Sequence, residues 1–432
     1  MLARKKMANN SKVSAVLMTI LGVTMASNII YIFSFGSTHF TIAEIYSIIL
    51  FFYLIITRKI DWKNVLLTLG LSFKLFCVVI VFSGVLAFIT FFDVGLMYRF
   101  MVGIISFCIC LTTLIDVITL FDYRTFFAKG CIIGIFVNCV FCAIQYISYQ
   151  ANVPFTLLYD TFQQDSFHLN VYNFSAQGLF LEPSHMNQFL ATVVPVCIGF
   201  IDSKAIKNKL FLILALMCCA LSTSGTAAVV LVGLVLLVLI EKPFDRRVSK
   251  KSVAMVYALI FIAIIVVAFF SNNPVLASIS DNVNGYIKLA MEGSNVGDSS
   301  NKERVQSMQA ALKLIPENPL GCGWNMVHTL LQQKTNLGTA SAFSDMLEMT
   351  LEIGVLGVGL YIISACSSAL ACLRVKEHES AGIAVAIICV LIMETLADYA
   401  INPCIMSILA FGMCYRRKYE IVNRFRREEV KQ

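Results

Sequence analysis

The feature that most constrains this chain is a recurrence of apolar runs long enough to cross a membrane, joined mostly by short charged loops. A helix crosses the hydrocarbon core of a bilayer with ~20 mostly apolar residues. The chain is 58% hydrophobic and 14% charged, against about 25% charged for a soluble domain. The runs are Val13–Phe33, Ile42–Ile56, Leu75–Phe92, Phe100–Phe121, Ala128–Ile147 and Met186–Ile201 in the first half. Leu210–Leu221, Thr226–Ile240, Val253–Phe270, Ile353–Leu373, Ala381–Leu396 and Asn402–Tyr415 follow. The stretch from Asp61 to Lys74 reads as an interfacial helix or an extension of the third run. The expected fold is an all-α polytopic membrane protein of about 12 transmembrane helices.

Charge orients the spans. The apolar stretch Leu210 to Ile240 has basic residues on both flanks: Lys204, Lys207 and Lys209 before it, Lys242, Arg246, Arg247, Lys250 and Lys251 after it. A turn at Ser222-Thr223-Ser224-Gly225 keeps both clusters in the cytoplasm, as the positive-inside rule prefers. Both termini are then cytoplasmic. Of the 33 Lys and Arg, only Arg99, Lys288, Lys302, Arg304, Lys313 and Lys334 fall on the outer side, with Lys74 near the third span. The net charge of +7 thus reflects orientation and contact with anionic lipid, and nucleic acid is not an expected partner.

The 15 cysteines lie in or at the ends of apolar runs, Cys322 excepted. They read as small packing residues, and no His/Cys spacing suits zinc. No metal or other cofactor is implied. The apolar run near the start is longer than a signal peptide's core and reads as a retained span. Residues 1–432 form one membrane domain, with two long outer segments at 149–183 and 271–344. Loops of such length are usually functional.

Several polar groups on the outer side are candidates for chemistry. Lys302 to Ile315 reads as an amphipathic helix, with Val305, Met308, Leu312 and Ile315 at helical spacing. Arg304 stands at its start, where a guanidinium suits phosphate oxygens. A solvated surface arginine is the plain alternative. Phe180-Leu181-Glu182-Pro183-Ser184-His185 opens the sixth span, with Pro183 as a helix-start signal. Glu182 there reads as a helix-start carboxylate or a proton acceptor at the bundle mouth. Asp345, Glu348 and Glu352, spaced three then four, share one helical face just before a glycine-rich span start. Such a row needs ionic partners, water or a polar substrate. Asp116, Glu394 and Asp398 lie within or near spans and are candidates for a polar cavity or proton path. His168, His185 and His328 show no nucleophile–base arrangement. Between Tyr149 and Pro183 the chain has no Lys or Arg and is rich in Tyr, Phe, Asn and Gln. Tyr159, Phe162, Gln163, Gln164, Phe167, Asn170, Tyr172 and Asn173 suit sugar binding or an interfacial aromatic belt.

Three stretches resemble motifs of the O-antigen polymerase and ligase superfamily of bacterial membrane glycan enzymes. They are Gly178 to His185 with its Glu-Pro-Ser core, Arg304 followed by a helix and Asn318-Pro319-Leu320-Gly321-Cys322-Gly323, and Leu347 to Gly357 with Glu352-Ile353-Gly354. The resemblance runs from Gly178 to Tyr361. Where the ligase branch carries a His-Asn pair, this chain has Phe343 and Ser344. Where the family often has Ser-Arg-Gly, it has Thr223-Ser224-Gly225-Thr226, without the arginine. The resemblance therefore implies a polymerase. It would join repeat units carried on undecaprenyl diphosphate into O-antigen or capsular polysaccharide, at the outer face of the bacterial inner membrane. Arg304, Glu182 and Glu352 are the implied catalytic groups. Arg99, Lys302, His185, Asp345 and Glu348 are the implied substrate contacts. Implied partners are the lipid-linked glycans, membrane lipids, a chain-length regulator and a flippase. An O-antigen ligase and a lipid-linked oligosaccharide flippase are the competing readings.

Overall fold

A computed structural model gives the fold and describes residues 2–28, 31–35, 38–91, 94–151, 176–180, 182–200, 207–222, 224, 226–241, 299–334, 341–396 and 402–431. The chain is almost entirely helical there. Among the described residues five helices are long and apolar enough to cross a membrane, and four shorter apolar helices accompany them. The ninth expected span, most of 149–183 and the start of 271–344 lie outside the described residues, as does Asp398.

Helix α1 (Leu2–Thr24) ends well before Phe33, where the apolar run predicts it to continue. The chain instead forms an antiparallel hairpin of β1 (Tyr31–Phe35) and β2 (Thr38–Thr41). The expected extent of the first span is corrected here, within a chain that is otherwise helical among the described residues. Alternating Tyr31, Phe33 and Phe35 suit a strand, and hydropathy alone does not separate a strand from a helix end. Asn28 also draws the chain aside, its backbone N–H donating to Leu179 O at 3.2 Å. Helix α2 (Ile42–Ile56) then starts on a capping box, with Thr41 Oγ1 accepting from Glu44 N–H and the Glu44 carboxylate accepting from Thr41 N–H at 2.8 Å.

Helix α3 (Trp62–Phe91) joins the doubtful Asp61–Lys74 stretch to the third span, but with a break at Gly70 (φ 70°, ψ 170°). Beyond the break Leu71, Leu75, Val78, Phe82, Val85 and Ile89 form one exposed apolar stripe, with Leu71 73% and Ile89 70% exposed. The stripe is roughly 27 Å long at ~1.5 Å per residue, close to the ~30 Å of a hydrocarbon core. A soluble protein does not leave such a stripe in water. This is the lipid-facing surface of a multi-pass membrane protein.

Inside the bundle, close helix approach replaces bulky packing. Helix α5 (Arg124–Gln150) crosses α1 at Gly22 and Gly130, where an added Cβ would meet backbone oxygen at 2.2 and 2.1 Å. Small residues at a crossing let two backbones come into van der Waals contact within lipid. Helix α4 (Val94–Thr119) runs through the bundle from one end to the other. Helix α6 (Pro183–Phe200) begins at the proline that the sequence marks. The run from Leu210 to Ile240 is interrupted, giving α7 (Lys207–Ser222) and α8 (Ala227–Glu241).

A helix stands where one was expected, α9 (Ser299–Leu314), but the face it buries is Ser307, Ala311 and Leu314, while Leu312 of the expected apolar face is 55% exposed; the short α10 (Val327–Lys334) follows. Ala311, Leu314, Cys322, Met326, Val327, Leu330, Leu331, Ala342 and Leu351 form a small apolar core of their own. Helix α11 (Asp345–Val375) is broken at Gly354 (φ 72°, ψ 170°), and its first part joins the two cores, with Leu351 in the small one and Met349 and Ile353 in that of the bundle. Helices α12 (His378–Leu396) and α13 (Pro403–Lys431) complete the fold.

Candidate functional site

The break at Gly354 builds the site. A helix that stops leaves its last carbonyls without intrahelical donors. Here the 318–323 turn supplies them: Cys322 N–H donates to Leu351 O at 2.7 Å, and Gly323 N–H to Glu352 O at 2.9 Å. The two backbones touch. A Cβ on Gly321 would meet Glu352 O at 2.2 Å, and one on Gly354 would meet Pro319 O at 2.5 Å. Gly321, Gly323 and Gly354 also have φ of 87°, 110° and 72°, a region open to glycine and costly for other residues. The two glycine motifs of the sequence are therefore two halves of one joint.

That joint sets three carboxylates around a cavity of roughly 180 Å³. Asp345, Glu348 and Glu352 line one wall, as their spacing predicts. Gly103, Ser106 and Phe107 of α4 line another, and Trp324, Asn325 and His328 close it. Glu352 is 7% exposed, and its carboxyl group faces the backbone N–H groups of Asn325, Met326 and Val327. It thus lies at the start of α10, whose first N–H groups have no acceptor within their own helix. Glu348 Oε1 accepts from Ser341 Oγ at 2.8 Å and from Ala342 N–H at 2.9 Å. Asp345 is buried at the start of α11. The Trp324 ring lies 5.6 Å from that of Phe107. Burial pushes the Cys322 thiol up to about 12, with the Glu352 carboxylate adding to the shift, so this cysteine is a neutral packing group.

Arg99 sits at the edge of this assembly. Asn325 Nδ2 donates to Arg99 O at 3.0 Å, and the Arg99 guanidinium donates to Thr329 Oγ1 at 3.0 Å. A Cβ on Gly103 would meet Asn325 Cβ at 2.5 Å. The α4 wall and the 324–329 segment are therefore fastened together. Helix α9 docks on the small core that Phe100 also touches, with Ser307 Oγ donating to the carbonyl of Ser341, whose hydroxyl donates to Glu348. Arg304 stands one turn before Ser307 on that helix, and Lys302 stands just ahead of it.

The other expected site residues lie apart from the cavity lining. Glu182 is exposed at the start of α6, its Oε2 accepting from Ser184 Oγ at 2.9 Å. His185 is buried, its Nδ1 3.2 Å from Asn28 Nδ2, so it fastens the post-α1 segment to α6. Glu394 accepts from Tyr361 OH at 2.6 Å within the bundle. Asp116 is fully buried, and its carboxylate oxygens have no hydrogen-bond partner among the described residues. Ser106, Trp324 and Asn325 were not singled out by the sequence. Their only local signals are the Gly-x-Gly turn before Trp324 and the small Gly103 on α4. Among the described residues no group of His, Cys, Asp and Glu is arranged to hold a metal ion.

Residues 210–362 match the family described as O-Antigen ligase. This chain carries an O-antigen ligase-like domain, consistent with the O-antigen ligase and polymerase superfamily. The matched segment contains both halves of the glycine joint and the three carboxylates, and ends one residue beyond Tyr361. The Glu-Pro-Ser stretch at the start of α6 lies outside it. Comparison with curated proteins gives no match. The domain supports a membrane glycan function of the ligase or polymerase type.

Proposed function

We propose that this protein is a polysaccharide polymerase that joins oligosaccharide repeats carried on polyprenyl diphosphate. The observation that carries the reading is the carboxylate cavity with an aromatic wall, beside the docked helix that bears Arg304. In the reaction an acceptor sugar hydroxyl attacks the anomeric carbon of the donor glycan. The new C–O bond forms as the bond to the diphosphate breaks, and the lipid diphosphate leaves with the electron pair. A carboxylate takes the hydroxyl proton, and cations stabilise the leaving anion. Arg304 and Lys302 are the cations for that role, with Arg99 as a further one at the cavity edge. Glu352 and Glu348 hold the 325–327 and 341–342 backbones, so they shape the acceptor side. Glu182 remains the proposed proton acceptor outside the cavity lining, on the same side of the membrane. That side is the outer one, opposite the basic tail of α13, and the membrane is the bacterial inner membrane.

The absence of the ligase-type His-Asn pair favours polymerisation: Phe343 and Ser344 stand there, Phe343 at φ 53°. The description of the matched family favours the second reading, ligation of finished polymer to a terminal acceptor. Purified protein given a synthetic lipid-linked repeat separates the two. A polymerase makes a ladder of longer lipid-linked products from that substrate alone. A ligase makes none until a terminal acceptor is added. In cells, loss of a polymerase leaves single repeats on the final acceptor, whereas loss of a ligase leaves polymer unattached. Normal polymer from a Glu182→Gln protein would reduce Glu182 to a helix-start residue.

A further inference from the structure

A second cavity lies at the other end of α4. It has a volume of roughly 370 Å³ and is lined by Asn64 and Thr68 of α3, Thr119 of α4, Asp122, and Arg417 and Lys418 of α13. Gly103 and Thr119 are roughly 24 Å apart along α4 at ~1.5 Å per residue, so the two cavities open towards opposite membrane faces. The charges here are placed unusually. Lys418 is already neutralised by Glu377 at 2.7 Å. Arg417 is only 3.7 Å from Glu420 through one terminal nitrogen, and its buried Nε has no partner among the described residues. Thr119 Oγ1 is likewise buried without one. Asp122 lines the same cavity and forms no ion pair with Arg417 or with any other described residue. An acid and a base thus face one space without meeting across it.

The rim is apolar and exposed. Ile421 and Val422 on α13 line the cavity and are 40 and 41% exposed, and Phe425, one turn further along α13, is 62% exposed. Aliphatic and aromatic side chains beside basic ones mark an element lying in the membrane interface. A free phosphate has no use for such a rim, whereas a lipid does.

We propose that this cavity binds the zwitterionic headgroup of an aminophospholipid, a phosphoethanolamine, on the membrane face opposite the carboxylate cavity. The phosphodiester meets Arg417 Nε and Thr119 Oγ1, and the ammonium meets Asp122. The acyl chains lie along the exposed apolar side chains of α13. Purely anionic headgroups satisfy Arg417 but are repelled by Asp122. A choline headgroup lacks the N–H donors that a carboxylate accepts. The inference is independent of the glycan reading.

The test uses the full chain, purified and delipidated in detergent. It is then offered phosphatidylethanolamine, phosphatidylglycerol or phosphatidylcholine, and retained lipid is counted by native mass spectrometry. Phosphatidylethanolamine is expected to be retained about tenfold better than either other lipid, the scale of one charge-assisted hydrogen bond. Asp122→Asn removes that preference over phosphatidylglycerol. Arg417→Gln weakens retention of both lipids, and Arg424→Gln, which lies outside the cavity, changes neither. Thr119→Val, which leaves all charges in place, weakens phosphatidylethanolamine retention if Arg417→Gln protein proves unstable. Equal retention of the three lipids by the unaltered protein would overturn the proposal. So would a preference for phosphatidylglycerol, an Asp122→Asn protein with its preference intact, or displacement of the lipid by inorganic phosphate alone.

Discussion

The two ends of the bundle use the same device for different purposes. At each end a long helix is broken at a glycine of nearly identical geometry: Gly354 at φ 72° and ψ 170°, Gly70 at φ 70° and ψ 170°. Each break orphans carbonyls that need donors. At Gly354 the donors are backbone N–H groups of Cys322 and Gly323, and the two chains lie in direct contact. At Gly70 the donor is a side chain. The Arg416 guanidinium donates to Thr68 O at 2.8 Å, and a Cβ on Gly70 would meet it at 2.2 Å. Backbone against backbone leaves no freedom, which suits three carboxylates held around a small cavity. A guanidinium at the end of a flexible chain can give way, which suits a fastening between helices. The carboxylate end is built for fixed geometry, and the basic end is built for attachment.

The largest effect that tests this contrast falls on chemistry. Arg304→Ala is expected to lower the rate of polymer formation about 10²–10³-fold, the cost of one well-aimed donor to a developing anion. Arg304→Lys restores part of it, because an ammonium keeps the charge but loses the bidentate fork. Chain length on gels at equal expression is the measurement, and wild-type length in Arg304→Ala cells would remove Arg304 from the site. Gly354→Ala comes next. Its Cβ meets backbone atoms that have nowhere to go, and its φ is strained. A loss on the order of 3 kcal/mol follows, seen as a lower unfolding temperature in detergent together with lost activity. Glu352→Gln is expected to cost about 2 kcal/mol, because the amide puts an NH2 group where one carboxyl oxygen faces the N–H groups at the start of α10. Its specific readout is Cys322, which is 3% exposed. Once the start of α10 loosens, Cys322 becomes open to a membrane-impermeant maleimide. An unchanged labelling rate would mean that Glu352 does not hold the 322–327 segment.

These residues also show what the sequence can and cannot reveal. Gly321, Gly323 and Gly354 stand out as motif glycines, and the structure supplies the reason, which is a shared contact. The start of α6 at Pro183 and the interruption between Ser222 and Ala227 were both legible, because proline geometry and charge sorting act locally. The end of α1 was not, because an apolar run scores alike whether it continues as helix or turns into the strand at Tyr31. The α4 wall of the cavity was also hidden. Asn325 and Arg99 are 226 residues apart and meet only through the fold. Nothing near Gly103 or Ser106 marks them as facing a carboxylate. In the same way the sequence offers Glu182, His185 and the 345–352 carboxylates as one set, yet only the last group shares a cavity.

The smallest effect is the most direct test of the contrast between the ends. Gly70→Ala carries the same unfavourable φ as Gly354→Ala, so the backbone strain is matched. The difference lies in what the new methyl meets. At Gly70 it meets the tip of Arg416, which can swing away and leave only Thr68 O without its donor. The expected cost is therefore about 1–2 kcal/mol, with activity retained and Cys322 still protected from maleimide. Arg416→Ala in the Gly70→Ala background should then add little, since the guanidinium has already been displaced. Equal losses at Gly70 and Gly354 would show that strain alone decides both, and the distinction between a backbone joint and a side-chain fastening would fail.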